Sequence, residues 1–190
     1  GDAGFIVPTA GYRYTQWSLD QQAVGTLQDP DRGLGLFSLD SGLVFERPMA
    51  RGNGFVQTLE PRLFYLYSEQ EDQSLLPTFD SAQINFNYGQ LFRSDRFSGH
   101  DRIGDADQLS LALSTRFISG SGEERARLSI GQIIHFEDRI VALDSPLQNW
   151  LTLQPRNTDR SAIAGEALYQ LNDYWRINTD LQWNEDQNQA

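Results

Sequence analysis

Three stretches of the chain alternate apolar and polar residues over the length a β-strand needs to cross a tilted outer-membrane wall. Leu109, Leu111, Leu113 and Phe117 point one way while Gln108, Ser110, Ser114 and Arg116 point the other. Leu128, Ile130, Ile134 and Phe136 oppose Arg127, Ser129, Gly131 and His135, and Trp175, Ile177, Leu181 and Trp183 oppose Arg176, Asn178, Asp180 and Gln182. Because strand side chains switch faces at every residue, such a pattern builds one apolar wall and one wet wall. A transmembrane barrel with a polar lumen requires that combination.

The pattern predicts an all-β fold of about seven strands, near 10–18, 33–46, 55–67, 108–118, 124–136, 161–171 and 173–183. No segment carries a sustained 3.6-residue apolar period, so helix is at most a minor component. Short and long connections alternate along the chain. Arg47 to Gly54, Ser119 to Gly122, and Asn172-Asp173 are tight links rich in turn residues, whereas 19–32, 68–107 and 137–160 are long. An antiparallel up-and-down barrel in an outer membrane has this asymmetry, with short periplasmic turns and long outer loops. Single-chain bacterial barrels carry an even number of strands, so seven implies that both sheet edges find partners elsewhere. The expectation is one partial barrel domain over 1–190, cut from a larger barrel, with no signal peptide in view and a long loop at 68–107.

Tyr12, Tyr14 and Trp17, then Tyr65 and Tyr67, then Tyr169, Tyr174, Trp175 and Trp183 sit at strand ends, where amphipathic rings form the girdles of a membrane barrel. Glu60 and Arg62 share the wet face, and there a carboxylate and a guanidinium are expected to form a structural ion pair. Pro61, on the apolar side between them, lacks a ladder donor and predicts a bulge or a gap in pairing.

Composition then narrows the function. The net charge of −11 argues against nucleic acid, which needs a basic surface. Cysteine is absent, so disulfide and thiol chemistry have no residues here. All fifteen basic residues are arginine; a coding bias accounts for this more simply than selection for bidentate anion binding. No nucleophile elbow, phosphate-cradling loop or His-Glu-x-x-His motif is present, and the two histidines, His100 and His135, lie in a loop and on a polar strand face. Catalysis is not expected, and no cofactor or metal is assigned. No run approaches the ~20 apolar residues of a membrane helix.

The 68–107 stretch is too long for an ordinary connection, and Phe79, Ile84, Phe86, Tyr88, Leu91, Phe92 and Phe97 make it too apolar for disorder. It should pack into the barrel mouth or against a partner, with Phe92, Arg93, Arg96 and Phe97 as anchors, since aromatic residues and arginine dominate interfaces. Eight carboxylates against three arginines make it acidic. Asp101, Asp105 and Asp107 could bridge a divalent cation to phosphate, but the spacing is not that of a calcium loop, and a solvated acidic loop is the simpler reading.

Thr58-Leu59-Glu60-Pro61-Arg62-Leu63-Phe64-Tyr65-Leu66-Tyr67, the run from Leu91 to Gln108, and Gly122-Glu123-Glu124-Arg125 together resemble the LptD family of lipopolysaccharide-assembly proteins, in order and spacing. The likeness is strongest from Phe55 to Phe136 and thin after Asp144. It implies a middle part of a large outer-membrane barrel in a Gram-negative cell envelope. Family members work with an LptE-like lipoprotein that plugs the lumen, and deliver lipopolysaccharide to the surface. Contacts with periplasmic bridge proteins, and the gate strands, would lie outside this segment. The resemblance places Glu60, Arg62, Ser110, Ser114, Arg116, Arg127, Ser129, Asn178 and Gln182 toward the lumen, facing plug and cargo, with membrane lipid on the other side. Two other readings remain open on periodicity alone: another large porin or transporter barrel, and a soluble or surface β-domain that binds carbohydrate through exposed aromatics.

Overall fold

The computed structural model describes residues 3–20, 28–49, 54–143 and 159–184. Eight strands form one antiparallel sheet: β1 Gly4–Gln16, β2 Asp31–Leu43, β3 Phe45–Pro48, β4 Val56–Ser68, β5 Ala106–Ile118, β6 Glu124–His135, β7 Ile163–Gln170 and β8 Arg176–Trp183. Neighbours in sequence are neighbours in space, running β1-β2-β4-β5-β6-β7-β8, with β3 beside the first half of β4. The only helix among the described residues is a 3₁₀ turn, Tyr88–Phe92, in the long β4–β5 connection. Among the described residues, the outer edges of β1 and β8 have no partner strand and the sheet does not close.

Strand boundaries differ from expectation at two places. β1 begins at Gly4, because Pro8 continues the ladder opposite Leu39; proline is tolerated in an edge strand. The expected strand 33–46 is two strands, since pairing with β4 stops at Gly42↔Arg62 and resumes at Phe45↔Leu59. The interruption falls where Leu43 and Val44 would have opposed Pro61 and Glu60. Pro61 has no N–H to offer, and Val44 N donates instead to Ala3 O at 2.8 Å. On its other side β4 keeps register with β5 from Glu60 to Ser68. The gap predicted at Pro61 is therefore one-sided.

A second gap, at Thr58 and Leu59 beside β5, is closed by hydroxyls. Arg116 N donates to Thr58 Oγ1 at 3.1 Å, and Thr115 Oγ1 donates to Thr58 O at 2.7 Å. The backbone groups stay satisfied although the ladder is broken.

Cross-strand register assigns every strand residue to one of two faces. Ile6, Tyr12, Leu63, Leu109, Leu111, Leu113, Leu128, Ile130, Ile177 and Leu181 lie on one, and nothing covers it. Leu111, Ile130 and Ile177 are 42%, 53% and 55% exposed, so no second protein layer packs on this bare face as it would in a sandwich. A soluble sheet of this size would bury that face. Tyr12, Tyr14 and Tyr67 sit near the ends of strands that lead into long connections, Trp183 at the same end of β8, and Tyr169, Tyr174 and Trp175 near the β7–β8 turn, all exposed. Trp17 departs from the expected girdle: it is buried, with Nε1 donating to Asp101 Oδ1 at 3.3 Å. Its ring belongs to the loop layer, because the odd positions of β1 point to the opposite face.

Candidate functional site

The opposite face carries the chemistry. Glu60, Arg62, Ser110, Ser114, Arg116, Arg127, Ser129, Asn178 and Gln182 all fall on it, by register with one another or through Leu168 and Ala164 of β7. The connection 69–105 folds over one half of this face and leaves the half nearer the short turns open.

Leu91, fully buried in the 3₁₀ turn, seats the loop against Ile133 and Ala164, with Phe86, Tyr88, Phe92 and Ala112 packed around it. Gly131 of β6 makes room for it. A methyl built there would lie 2.5 Å from Leu91 Cδ1 and 2.8 Å from Leu111 O, so any larger residue displaces one of them. Phe92 meets Phe64 and Tyr88 edge-on, at 6.4 and 5.7 Å between centroids, and the Arg62 guanidinium lies 3.8 Å from its ring centre. Tyr88 hydroxyl shares a hydrogen bond with Ser114 Oγ at 2.9 Å, and Ser114 Oγ donates to Ser129 Oγ at 2.9 Å. Ser110 and Ser129 are buried under this cover.

Two buried arginines tie the rest of the loop down. Arg32, 2% exposed, donates to Gln73 Oε1 and to the carbonyls of His100 and Asp101 at 2.6–2.9 Å, and to Thr15 Oγ1 at 3.2 Å. Arg102 donates to the carbonyls of Leu76 and Pro77. Gln73 and Ile103 exchange two further hydrogen bonds. Asp95 accepts from the amides of Phe97 and Gly104 and pairs with Arg13 of β1 at 3.4 Å; burial nonetheless holds its carboxyl above the usual range.

The four expected anchors divide. Phe97 is buried with Val141 and Leu143, Arg96 is held by Asp105 Oδ1 at 2.6 Å and Val141 O at 2.7 Å, and Phe92 lies on the sheet. Only Arg93 is exposed. Phe92 thus packs on the chain's own sheet, and Arg96 and Phe97 pack against the 137–143 segment. The acidic trio also separates. Asp101 accepts from Trp17 and the amides of Phe79 and Asp80, Asp105 from Arg96 and the amides of Ile140 and Val141, and Asp107 from the Tyr65 hydroxyl. Among the described residues no group of three His, Cys, Asp or Glu is placed to hold a metal.

The open half carries a row of charges crossing four strands. Arg116 binds Glu60 at 2.6 Å and lies 3.7 Å from Glu124, Arg127 binds Glu124 at 2.8 Å, and Arg127 approaches Glu166 at 3.5 Å. Beside it Arg62 binds Asp40 through both Nε and Nη2, at 2.9 and 2.6 Å. The expected Glu60–Arg62 pair is thus replaced by two cross-strand pairs. Both pairs are diagonal, since Asp40 opposes Phe64 while Arg62 opposes Gly42, and Glu60 opposes Ser114 rather than Arg116; a long guanidinium side chain reaches a diagonal neighbour on the next strand. All members are partly solvated, and Asn178 and Gln182 continue the face toward β8, where they are exposed.

Asp40, Glu124, Glu166 and Arg32 did not emerge from sequence reading. Asp40 and Glu166 carried a signal in their position on the wet phase of their strands, whereas Glu124 is in phase with Leu128 and Ile130 and reaches the wet face only through the register shift between Phe117 and Ile118. Arg32 precedes its strand's clear alternation and carried none.

The whole chain, residues 1–190, matches the family model described as LPS transport system D, LptD. The LPS-assembly protein LptD of Pseudomonas aeruginosa strain UCBPP-PA14 is 43% identical over 95% of this chain and 22% of its own length. That of Nitrosomonas eutropha is 52% identical over 75% of this chain and 20% of its own. That of Xanthomonas axonopodis pv. citri is 39% identical over 97% and 24%. The chain spans about a fifth to a quarter of the length of these relatives.

Proposed function

Because the chain belongs to the LptD family, we propose that its sheet is a section of an outer-membrane β-barrel wall that, together with a plug lipoprotein, inserts lipopolysaccharide into the outer leaflet. The observation that carries this reading is the division of one sheet into a continuous bare apolar face and a polar face half closed by its own loop. The bare face has the chemistry of acyl chains, so lipid lies there. The other face turns to the lumen, and its open half, bearing Glu60, Arg116, Arg127 and Asn178, with Gln182 exposed at the loop-side end of β8, meets the plug lipoprotein and the sugar portion of the cargo. Carboxylates and guanidiniums that already neutralise one another there present hydrogen-bonding groups without a strong net field, which suits a hydroxyl-rich ligand. Contacts with periplasmic bridge proteins belong to regions beyond this segment. The work is transport and assembly, with no catalytic role for these residues.

Photo-crosslinking in cells making the full-length protein tests this. A photoreactive residue at Arg127 or Asn178 should capture the plug lipoprotein or lipopolysaccharide, while one at Leu128 should capture membrane lipid only. Capture of neither at the first two positions would overturn the assignment.

A further inference from the structure

On the bare face, the strand interiors carry no arginine, and the strand carboxylates there are Asp31 and Asp107, both beside the long connections. At the opposite end, beside the short turns, arginine reappears. One cross-strand row runs Arg47, Gln57, Phe117, Ala126, Tyr169, Ile177, with Arg47 donating to Gln57 Oε1 at 2.7 and 3.0 Å. In the next strand the register slips: Phe117 opposes Ala126 but Ile118 opposes Glu124, which leaves Arg125 unopposed. Such a bulge re-aims a side chain. Arg125 turns to a cleft of about 570 Å³ whose other walls include Met49, Phe55, Phe117, Tyr169 and Leu171. Its guanidinium keeps one acidic neighbour, Glu123, at 3.3 Å, and Glu123 remains more than half exposed while accepting from Ser121 Oγ.

We propose that Arg125 and Glu123, above this apolar cleft, form a headgroup site for a phospholipid of the phosphatidylethanolamine type. The phosphate takes the guanidinium, whose planar fork fits two phosphate oxygens. The primary ammonium takes the Glu123 carboxylate, and an acyl chain lies along Phe117, Tyr169 and Met49. The cleft is continuous with the face read above as lipid-facing, and the proposal rests on that reading. The charges select the occupant. A cation and an anion side by side at the turn-side end of an apolar wall match a zwitterion with hydrogen-bond donors on its positive end. They do not match a purely anionic lipid or a second copy of an acidic chain. Short turns face the periplasm, so the site belongs to the inner leaflet.

The test is native mass spectrometry of the full-length protein in detergent with added phosphatidylethanolamine, phosphatidylglycerol, phosphatidylcholine or inorganic phosphate. Phosphatidylethanolamine should be retained on the order of tenfold more tightly than phosphatidylcholine, whose methylated ammonium cannot donate. Arg125→Gln should lower retention of every lipid, Arg125→Lys should restore part of it, and Glu123→Gln should erase the preference over phosphatidylcholine while retention persists. Arg176→Gln, at the same end on the polar face, should change nothing. Heat-modifiable migration checks that each variant has folded, which separates loss of this site from failure of the membrane-wall reading. Equal retention by folded Arg125→Gln, binding of inorganic phosphate alone, or a dimer lost in that variant would overturn the proposal. If Arg125→Gln does not fold, an unchanged lipid preference in Glu123→Gln would do so.

Discussion

Arg32 shows how much of the loop's order depends on a single side chain. Its guanidinium serves four acceptors from three segments at almost no exposure. Arg32→Met fills the volume but strips the His100 and Asp101 carbonyls of this donor and leaves Gln73 Oε1 with the Ile103 amide alone, and buried acceptors stripped of a charged donor cost about 3 kcal/mol or more. Limited proteolysis should then cut within 69–105 while the strands stay intact. Exposed carboxylates act in a smaller way. The His100 amide, with help from Asp101, holds the Asp80 carboxyl below the ordinary range, so this contribution is present above pH ~4 and fades as pH falls through the lowered value. The protection factor of the His100 amide, exchange normalised to its intrinsic rate, should fall as the pH drops below the ordinary carboxylate range, and Asp80→Asn should remove that dependence.

Among elements, the strands were legible in the sequence because period-two alternation is a direct imprint of two solvents on one sheet. The resemblance of the Thr58–Tyr67 and Leu91–Gln108 runs added the family, which the pattern alone left open. What alternation did not reveal was the loop's seat, although the sequence marks it in negative. Phe64, Leu66 and Ile133 are apolar residues on the polar phase of β4 and β6, and all three are buried under the 69–105 cover. The failures of the pattern trace the footprint. Pairings such as Arg62 with Asp40, rather than with Glu60, depend on register between strands, and a one-dimensional reading does not contain it. The seat itself gives a sharp expectation. Leu91→Ala should destabilise the closed loop by about 2–5 kcal/mol through the cavity it leaves, and Gly131→Leu should expel the 3₁₀ turn outright. A spin label at Gly89 should become mobile in both variants, with heat-modifiable migration of the barrel retained.

At the scale of the whole molecule, the sheet makes sense only with lipid on one side and an aqueous, partly occupied space on the other. Its two open edges leave ladder groups that further strands would pair in a section of a larger barrel. The alternation of short and long connections, read first as an argument from lengths, becomes an orientation. The turn-side end carries the open charge row and the proposed headgroup cleft, and the loop-side end carries the self-made cover. On the proposed function, the open half is where cargo and plug would approach.

The most direct measurement is collisional accessibility of spin labels in the full-length protein reconstituted in bilayers, placed singly at Leu111, Ile130 and Ile177 on the bare face and at Ser114, Arg127 and Asn178 on the other. The first three should be relaxed strongly by molecular oxygen and weakly by a water-soluble nickel chelate, as hydrocarbon requires. Labels at Leu111, Ile130 and Ile177 that are open to the chelate, or shielded from both relaxers by packed protein, would contradict the account.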